Sequence, residues 1–447
     1  MSPPRSGPRD VARTLGLLGL LTAVAPVNAV VTTGALLVGA VTRPVRPAVR
    51  AGERRTVMVS GGKMTKALAL CRAFHDAGHR VVLVESGKYA LTGHRFSRAV
   101  DVFRTVPDAA DPAYAAALVD VVTAEDVDVY VPVCSPASSL PDAHAKKQLS
   151  EHCEVVHLDA DVLEDLDDKF RFARRAASLG LRVPNTQLVT DPEQVLSLDF
   201  SGATRPYVLK SIAYDPVHRL DLTRLPFGPV EAMEEFVRSL PISEDNPWIL
   251  QEFIEGREFC THSTVRDGRL SVYLCCESSP FQVNYAMVDH PGIRAWVDRF
   301  VEGTSFTGQV SLDFIEEPGG EVFAIECNPR THSAITMLHD HPGVAAAYLQ
   351  DEPPPGETWP VVPTTASRPT YWTYHEVWRL LTERGRVARL RTILTGTDAI
   401  LERSDPLPFF MEHHVQVPWL LLRTLARRTA WIRVDFNIGK LVEAGGD

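Results

Sequence analysis

Apolar runs and helical spacings alternate along the first half of the chain. Residues 56–59 are an apolar, strand-like run, residues 63–77 carry apolar side chains at helical spacing, and residues 81–84 are a second β-branched run. A strand, a helix and a strand in this order predict a parallel sheet. The runs at 127–133 (VDVYVPV) and 155–158 (VVHL) are predicted to be further strands of that sheet.

The pattern changes beyond this sheet. Residues 161–180 predict one charged helix, residues 228–240 predict another, and the segment PYVLKS, which carries Lys210, predicts a strand between them. Two hairpins follow. The first is turned by Asp267-Gly268 between alternating runs, which is a strong hairpin signal, and the second is turned by residues 318–320 (Pro-Gly-Gly).

The second hairpin carries an unusual pair of acidic side chains. If its strands pair symmetrically about the turn, Glu317 lies opposite Val322, and Asp313 lies opposite Glu326 on one face. Asn328 projects from the same face. Two opposed carboxylates repel each other unless a cation lies between them, and carboxylate and amide oxygens are ligands that Mg²⁺ takes. A solvated acidic face is the alternative interpretation.

The N-terminal segment has a different composition from the rest of the chain. The 29 residues between Arg13 and Arg43 carry no charge, which exceeds the ~20 residues that a spanning helix needs. We predict that residues 14–42 anchor the protein in a membrane. More arginines follow this segment than precede it, so the main body is expected in the cytoplasm. Pro26 and Asn28 leave a kinked span or a re-entrant hairpin open, and a cleaved signal peptide or a buried helix are further alternatives.

Composition narrows the remaining classes. The 447 residues are enough for two to three domains, and the formal net charge of −10 argues against a nucleic-acid partner. The seven cysteines form no CxxC pair, which is typical of reduced thiols rather than of disulfides or a zinc site. The turn Gly61-Gly62 could hold a phosphate or serve only as a turn, since it matches no complete phosphate-binding motif.

Several cationic and polar side chains accompany the acidic hairpin. Lys169 and Lys210 could each bind phosphate as a point charge, although either is also compatible with a surface position. The segment QEFIEGREF between Lys210 and the hairpin could offer backbone groups to an adenine ring and Glu258 to a ribose. Arg330 follows the predicted metal ligands, where a fixed cation would stabilise a phosphoryl group during transfer.

In this order the parts resemble the ATP-grasp superfamily. A helix lysine, a strand lysine, an E-F-I-x-G-x-E segment, an S-x-D strand and an E-x-N-x-R strand match across roughly residues 160–345. The resemblance implies ATP and Mg²⁺ as cofactors. It implies phosphate contacts from Lys169 and Lys210, an adenine hinge of Gln251, Glu252, Phe253 and Ile254, a ribose contact from Glu258, metal ligands Asp313, Glu326 and Asn328, and catalytic roles for Arg330 and Lys210.

The resemblance also implies an α/β fold and a domain plan. A Rossmann-like preATP-grasp domain would precede an ATP-grasp fold of two α+β subdomains. The predicted parts are residues 1–55 (hydrophobic anchor and basic linker), 56–160 (Rossmann-like domain), 161–350 (ATP-grasp domain) and 351–447 (C-terminal extension).

A closer resemblance extends over nearly the whole chain from residue 56. The strings VSGGKMTKAL, TGHRFS, DVYVPVCSP, LDDKF, TDPEQV, WILQEFI, CTHSTVRDG, FQVNY, TGQVSLDFI and AIECNPRTHSAITM are similar to those of mycosporine-glycine synthetases. This implies condensation of 4-deoxygadusol with glycine to give mycosporine-glycine, ADP and phosphate, and so small-molecule partners. An ATP-grasp ligase with another acid and amine, or a membrane-tethered nucleotide-binding protein without turnover, are the alternatives.

Other polar side chains near predicted strand ends are candidates for substrate contacts. They are Ser60, Lys63, Ser135, His262, Arg266, Asn284, Tyr285, His332 and Ser333. The two histidines lack the spacing of a metal motif and are more typical of core or site-rim histidines. Residues 213–228 are a candidate lid over the phosphates. The basic, apolar tail at 419–433 is interpreted as a helix packed on the fold, with a lipid-surface helix as the alternative.

Overall fold

The computed structural model describes residues 6–42, 53–213, 218, 221–278 and 284–443. Much of the predicted basic linker (43–52) and part of the predicted lid (214–217, 219 and 220) therefore lie outside the described residues. The helices are α1 Pro8–Thr42, α2 Thr65–Asp76, α3 Tyr114–Ala124, α4 Ser139–Leu149, α5 Ala160–Asp167, α6 Lys169–Ser178, α7 Pro192–Leu196, α8 Val230–Ser239, α9 Pro291–Thr304, α10 Val344–Leu349, α11 Thr373–Thr382, α12 Arg386–Thr395, α13 Leu407–Met411 and α14 Val417–Arg427.

The strands pair into several sheets. They are β1 Thr56–Val59, β2 Arg80–Ser86, β3 Val102–Val106, β4 Val129–Val131, β5 Glu154–Val155, β6 Thr186–Val189, β7 Tyr207–Ser211, β8 Trp248–Glu252, β9 Arg257–Arg266, β10 Arg269–Glu277, β11 Asn284–Tyr285, β12 Gly308–Glu316, β13 Val322–Asn328, β14 Thr370–Tyr371, β15 Thr397–Asp398, β16 Trp431–Asp435 and β17 Lys440–Glu443.

The N-terminal sheet is parallel, in the order β3-β2-β1-β4-β5. Most residues of β1, β2 and β4 are apolar and buried, because α-helices cover both faces of a parallel sheet. The predicted β-α-β unit is therefore confirmed. Gly61 in the turn after β1 has a positive φ of 70°, and a Cβ there would lie 2.2 Å from the carbonyl oxygen of Val133.

Two antiparallel sheets follow, each with its own helices and core. The sheet β6-β8-β7 packs with α7 and α8 around Trp248 and Leu250. The sheet β10-β9-β12-β13 packs with α6 and α9 around Phe172, Phe300 and Phe314. The Asp267-Gly268 hairpin forms as predicted, with Arg266 and Arg269 paired across it. The two α+β units predicted from the resemblance are thus present.

The region at 161–180 differs from the single helix that was predicted. Helices α5 and α6 are separated at Asp168, whose backbone is extended (φ −77°, ψ 114°). The Asp168 carboxylate accepts hydrogen bonds from the backbone N–H groups of Phe170 and Arg171, so it caps the second helix. This cap places Lys169 in the first turn of α6 rather than in the middle of a longer helix.

The residues that follow α10 pack on the N-terminal sheet. Trp372, Ile400 and Phe409 share one hydrophobic core with Val57 and Phe74. The tail at 419–433 forms the end of α14 and the start of β16, and Leu420 and Leu421 of α14 are buried. The packed-helix interpretation is therefore confirmed for that part of the tail.

Helix α1 is continuous through Pro26, so the re-entrant hairpin considered for this segment is wrong. The buried-helix alternative is also wrong, because only 11% of its most apolar 18-residue window is buried. By length and composition alone, α1 is long and apolar enough to cross a membrane. Signal sequences meet the same criterion.

The Asp168 cap generates a stability prediction. Replacing Asp168 with Ala removes the acceptor of two backbone N–H groups, and it should lower the free energy of unfolding by about 1 kcal/mol. The urea midpoint of the two proteins measures this loss. Asp165→Ala is the matched control. It removes only exposed ion pairs with Arg171 and Arg175, and its midpoint should stay within error of the parent protein.

Candidate active site

The opposed carboxylates lie where the hairpin of β12 and β13 places them. Asp313 is paired directly with Glu326, as the sequence predicted. The predicted opposition of Glu317 and Val322 is wrong, because Val322 lies opposite Glu316. A β-bulge directly after Asp313 takes up the one-residue difference, so the two carboxylates meet although the register at the turn was misassigned.

Asn328 and Arg330 join the carboxylates on the same side of the hairpin. The Asn328 Nδ2 atom donates to Asp313 Oδ2 at 3.1 Å, and the Asn328 Oδ1 atom accepts from the Arg330 guanidinium. Arg330 also lies 3.5 Å from Asp167 at the end of α5. Burial raises the pKa of Asp313, and the neighbouring negative charges of Cys260 and Glu326 raise it further.

This arrangement fits a hard divalent cation. A buried carboxylate with a raised pKa has too little positive charge nearby, and a bound cation would supply it. Two carboxylates and an amide are a ligand set for Mg²⁺ that completes its shell with phosphate oxygens and water. No group of three or more His, Cys, Asp or Glu side chains arranged for a metal occurs among the described residues, so a cage made only of such side chains is absent there.

The two lysines face these carboxylates from other elements. The Lys169 Nζ atom lies 3.6 Å from Glu326 Oε1. The Lys210 Nζ atom, on β7, donates to Gln251 Oε1 at 2.9 Å. Burial lowers the pKa of Lys210, and the negative charges of Glu326 and Asp313 oppose that shift. Lys169, Lys210 and the hairpin carboxylates therefore share one electrostatic environment, to which β7 and β8 of one α+β unit and α6, β12 and β13 of the other contribute.

The predicted hinge consists of the last two residues of β8 and the two that follow, and its backbone is only partly available. The N–H of Phe253 donates to the carbonyl of Pro206 at 2.7 Å, and the Glu252 carboxylate accepts from the N–H of Asn185 at 3.0 Å. Ile254 is buried, and its N–H has no acceptor among the described residues. Of the predicted hinge residues, Ile254 therefore offers the free backbone donor.

Close backbone packing fixes the position of this hinge. A Cβ at Gly256 would lie 2.0 Å from the carbonyl oxygen of Glu316, so only glycine permits this approach to β12. The side chain of Gln251 is held by Lys210 and by Thr186, to which it donates at 3.2 Å. Glu258 is exposed, and its charge acts on both Lys210 and Asp313.

The other polar candidates fall into different places. Arg266 makes structural contacts and is not part of the acidic site. Its guanidinium group is bound to Glu154 at 2.6 Å, to Asp351 at 2.8 Å and to the carbonyl of Tyr348. Those contacts tie together the far end of β9 and its neighbours. Ser60, Lys63, Ser135 and Asn284 also have protein partners, which are the N–H of Val133, the Glu85 carboxylate, the Ser138 hydroxyl and the Glu376 carboxylate respectively.

The remaining candidates, His262, Tyr285, His332 and Ser333, lie together beyond the acidic hairpin. The His262 Nδ1 atom accepts from the N–H of His332 at 3.2 Å, and the Tyr285 ring lies edge-on to the His332 ring at 5.3 Å. The Ser333 hydroxyl accepts from Asn437 at 2.8 Å. His262 is fully buried and His332 is partly exposed, which agrees with core and rim positions.

Lys66 is a neighbour of this cluster that the sequence reasoning did not identify. Its Nζ atom donates to the carbonyls of Cys134 at 3.0 Å and of Thr331 at 2.5 Å, so it links α2 to the residue that follows Arg330. Burial lowers the pKa of Lys66 to about 7, and the positive charge of Arg330 contributes. The sequence signal was weak, because a lysine in the first turn of an amphipathic helix ordinarily reaches solvent.

The α/β architecture is that of the ATP-grasp fold, with an N-terminal parallel-sheet domain ahead of the two α+β units. The fold is similar to a solved biotin carboxylase–β,γ-ATP complex from Campylobacter jejuni, with a TM-score of 0.50 and 13% identity, over 68% of this chain and 73% of that one. N5-carboxyaminoimidazole synthetase from Staphylococcus aureus gives a TM-score of 0.50 and 13% identity, over 66% and 78% of the two chains.

Part of the chain is also similar to curated carbamoyl phosphate synthase large chains. The chain is 24% identical over 217 residues to the C-terminal section of the carbamoyl phosphate synthase large chain of Methanopyrus kandleri. This alignment covers 44% of this chain and 38% of that protein. It is 24% identical over 219 residues to the carbamoyl phosphate synthase large chain of Ralstonia nicotianae. This alignment covers 43% of this chain and 19% of that protein. The matched region is thus well under half the length of these relatives. The chain matches no family model.

The buried lysine generates a prediction about pH. Because the pKa of Lys66 falls from 10.5 in the unfolded chain to about 7 in the folded protein, its contribution to stability is complete above pH 10.5 and is lost as the pH falls toward 7. Lys66→Met removes this titration. The stability of the parent protein relative to Lys66→Met should therefore decrease between pH 10 and pH 7, by an amount on the order of a few kcal/mol.

Urea midpoints of the two proteins at several pH values measure this difference. Lys146→Met serves as the control, because Lys146 is partly exposed and already paired with Asp159 at 2.7 Å. A pH-independent difference between the parent protein and Lys66→Met would contradict the assignment.

Proposed function

We propose that this chain is an ATP- and Mg²⁺-dependent ligase that joins an acidic small molecule to an amine and releases ADP and phosphate. The observation that carries the proposal is the opposed pair Asp313 and Glu326 facing Lys169 and Lys210. Carboxylates for a metal next to cations for phosphate are what binding a metal–nucleotide complex requires. The ATP-grasp fold and the nucleotide in the solved biotin carboxylase complex support the same conclusion.

In this proposal the nucleotide lies between the two α+β units. Ile254 donates its free backbone N–H to the adenine, with Gln251, Glu252 and Phe253 shaping the pocket, and Glu258 accepts from the ribose. Lys169 and Lys210 bind phosphates. Asp313, Glu326 and Asn328 hold Mg²⁺, which neutralises charge on the phosphate oxygens when bound. Arg330 stabilises the phosphoryl group in transit.

The proposed reaction has two steps. An oxygen of the acid attacks the γ-phosphorus of ATP and forms a new P–O bond. The bond between the γ-phosphorus and the β–γ bridging oxygen breaks, and ADP leaves with the electron pair of that bond. The amine nitrogen then adds to the activated carbon and loses a proton, and phosphate departs with the C–O electron pair. The chain's contribution is to position the reactants and to exclude water, which would otherwise hydrolyse the phosphorylated intermediate.

For the substrates we propose 4-deoxygadusol and glycine, because sequence strings of this chain resemble those of mycosporine-glycine synthetases. 4-Deoxygadusol is a vinylogous acid, so phosphorylation of its enolic oxygen creates a leaving group in the same way as phosphorylation of a carboxylate. We propose that the acid substrate binds beside the cluster of His332, Tyr285 and Ser333, which lies next to Arg330. The broader proposal, another acid with another amine, uses the same nucleotide site.

Removing one metal ligand tests the reaction class. Glu326→Gln keeps the size of the side chain and removes its charge. It should lower amine-dependent ADP release by about a hundredfold or more, because Mg²⁺ would lose one of its charged ligands. Glu321→Gln is the matched control. Glu321 is a carboxylate of the same hairpin that is bound only at the surface to Arg182, and its variant should keep the parent rate. Equal rates for Glu326→Gln and the parent would refute the metal role.

A substrate panel tests the specific proposal. ADP release is measured with ATP, Mg²⁺ and 4-deoxygadusol against glycine and a series of other amino acids. We expect turnover with glycine to exceed that with other amino acids by at least about tenfold, since an added side chain must fit a closed site. Turnover with another acid and amine only would reject these substrates and keep the reaction class. No nucleotide turnover with any pair would favour a binding protein.

A further inference from the structure

Helix α1 is packed along its whole length on the C-terminal part of the chain. Leu17, Val24, Ala29 and Leu36 are half-buried, and beside them a line of buried and half-buried residues recurs at alternating intervals of four and three: Thr14, Leu18, Leu21, Ala25, Asn28, Thr32, Ala35 and Gly39. This is the spacing of a helix that keeps one narrow stripe against a partner. Most of these residues are small, so the helix lies close to its neighbours α13 and α14. We call these eight residues the seam.

Specific contacts hold both ends and the middle of the seam. The Trp431 indole N–H donates to the Thr14 hydroxyl at 2.9 Å. The Asn28 amide donates to the Tyr374 hydroxyl at 2.6 Å. A Cβ at Gly39 would lie 2.7 Å from the carbonyl oxygen of Arg403, so only glycine permits that approach. A helix of 35 residues is ~52 Å long, and it is therefore fixed to the protein over nearly that distance.

Away from the seam, α1 presents apolar side chains to the surroundings. Val30 is 73% exposed and Leu37 is 68% exposed. The neighbouring hairpin of α11 and α12 does the same with Trp378, Leu381, Val387, Leu390 and Leu394. Tyr374, Trp378 and Leu381 are spaced four and three residues apart, so they share one face of α11. Tyr374 contacts Asn28 of α1. The exposed apolar face of α11 is therefore adjacent to the seam.

The same region has the opposite charge from the rest of the protein. The chain carries a net charge of −10, yet residues 368–433 contain eleven arginines, no lysine and six acidic residues. The exposed arginines of this range that form no ion pair with any described residue are Arg368, Arg384, Arg386, Arg391, Arg403, Arg427 and Arg428. Apolar side chains interleaved with unpaired arginines match the headgroup layer of an anionic bilayer, where arginine meets phosphate and tryptophan lies at the interface.

The seam is incompatible with a helix that crosses the bilayer. The hydrocarbon core is ~30 Å thick, and α1 is bound to the body of the protein near both of its ends. A crossing α1 would either separate from α13 and α14 or carry both helices, with Arg423 and Arg427 of α14, into the hydrocarbon, which is costly for charged groups. Lying in the plane of the interface exposes the apolar faces of α1 to lipid and leaves the seam intact.

We propose that α1 and the α11–α12 hairpin together form an in-plane attachment surface for an anionic lipid bilayer. In this arrangement α1 lies parallel to the membrane, both of its ends stay on one side, and the rest of the protein is held at the surface. The inference does not depend on which acid or amine the protein uses.

Vesicle flotation with the purified full-length chain tests the attachment. Vesicles of phosphatidylcholine alone are compared with vesicles that contain about 30% phosphatidylglycerol, an anionic lipid. We expect binding to the anionic vesicles that is at least about tenfold stronger and that weakens with added salt. Trp378→Glu/Leu381→Glu should lower this binding about tenfold. Leu188→Glu, at an exposed leucine of β6, is the matched control and should bind as the parent does.

The orientation of α1 is tested by labelling at its two ends. Ser6→Cys and Arg403→Cys place thiols beside opposite ends of the helix, since the Ser6 N–H is bonded to the carbonyl of Arg428 and Gly39 lies on Arg403. A membrane-impermeant maleimide is applied to sealed membranes of known orientation from cells that make each variant. The parent chain measures the background from its own cysteines. Equal labelling of both positions from the same side supports the in-plane arrangement.

Three results would overturn the proposal. Labelling of the two positions from opposite sides would show a spanning helix. Absence of binding to both kinds of vesicle would remove the lipid partner. Concentration-dependent association of the chain in lipid-free solution, abolished by Trp378→Glu/Leu381→Glu and not by Leu188→Glu, would assign the surface to a second copy of the protein instead.

Discussion

The repulsion between the carboxylates of Asp313 and Glu326 determines which charged groups the rest of the site must place near them. Their Cβ atoms are held about 5 Å apart by the hairpin, and Asp313 is buried. Three cations approach them: Lys169 from α6, Lys210 from β7 and Arg330 from the end of the hairpin, while the negative charge of Glu258 adds to the repulsion. The pair is thus partly compensated by the protein itself, and a divalent ion with its phosphate ligands completes that compensation.

Positioning these cations requires elements that are far apart in the sequence. The Asp168 cap starts α6 at Lys169, and the Lys210–Gln251 hydrogen bond fixes the end of the β7 lysine beside β8. Lys66 adds a link of another kind, because its ammonium group joins α2 of the N-terminal domain to the chain just beyond Arg330. The parallel-sheet domain is therefore connected to the site through a buried hydrogen bond, and not only through packing.

The sequence predicted the parts of this site that local patterns encode. Asp313 and Glu326 were found from alternation and a turn signal, although the bulge that corrects their register was not foreseen. A bulge depends on how β12 fits between β9 and β13. The separation of α5 from α6 was missed because Asp168 looks like any acidic residue in a charged helix. The burial of Lys66 and the seam of α1 were invisible for a related reason: both depend on surfaces contributed by residues more than two hundred positions away.

The hydrophobic N-terminal segment shows how strongly tertiary context changes an interpretation. Its composition alone predicts a spanning helix, since 29 consecutive residues carry no charge. The 4-3 spacing of its buried side chains adds information that composition does not contain, because lipid on all sides gives no reason for one stripe of small and polar residues such as Thr14, Asn28 and Gly39. Those residues are explained by contact with protein. In the proposed attachment the apolar remainder of the helix contacts lipid, and an interfacial position satisfies both faces at once.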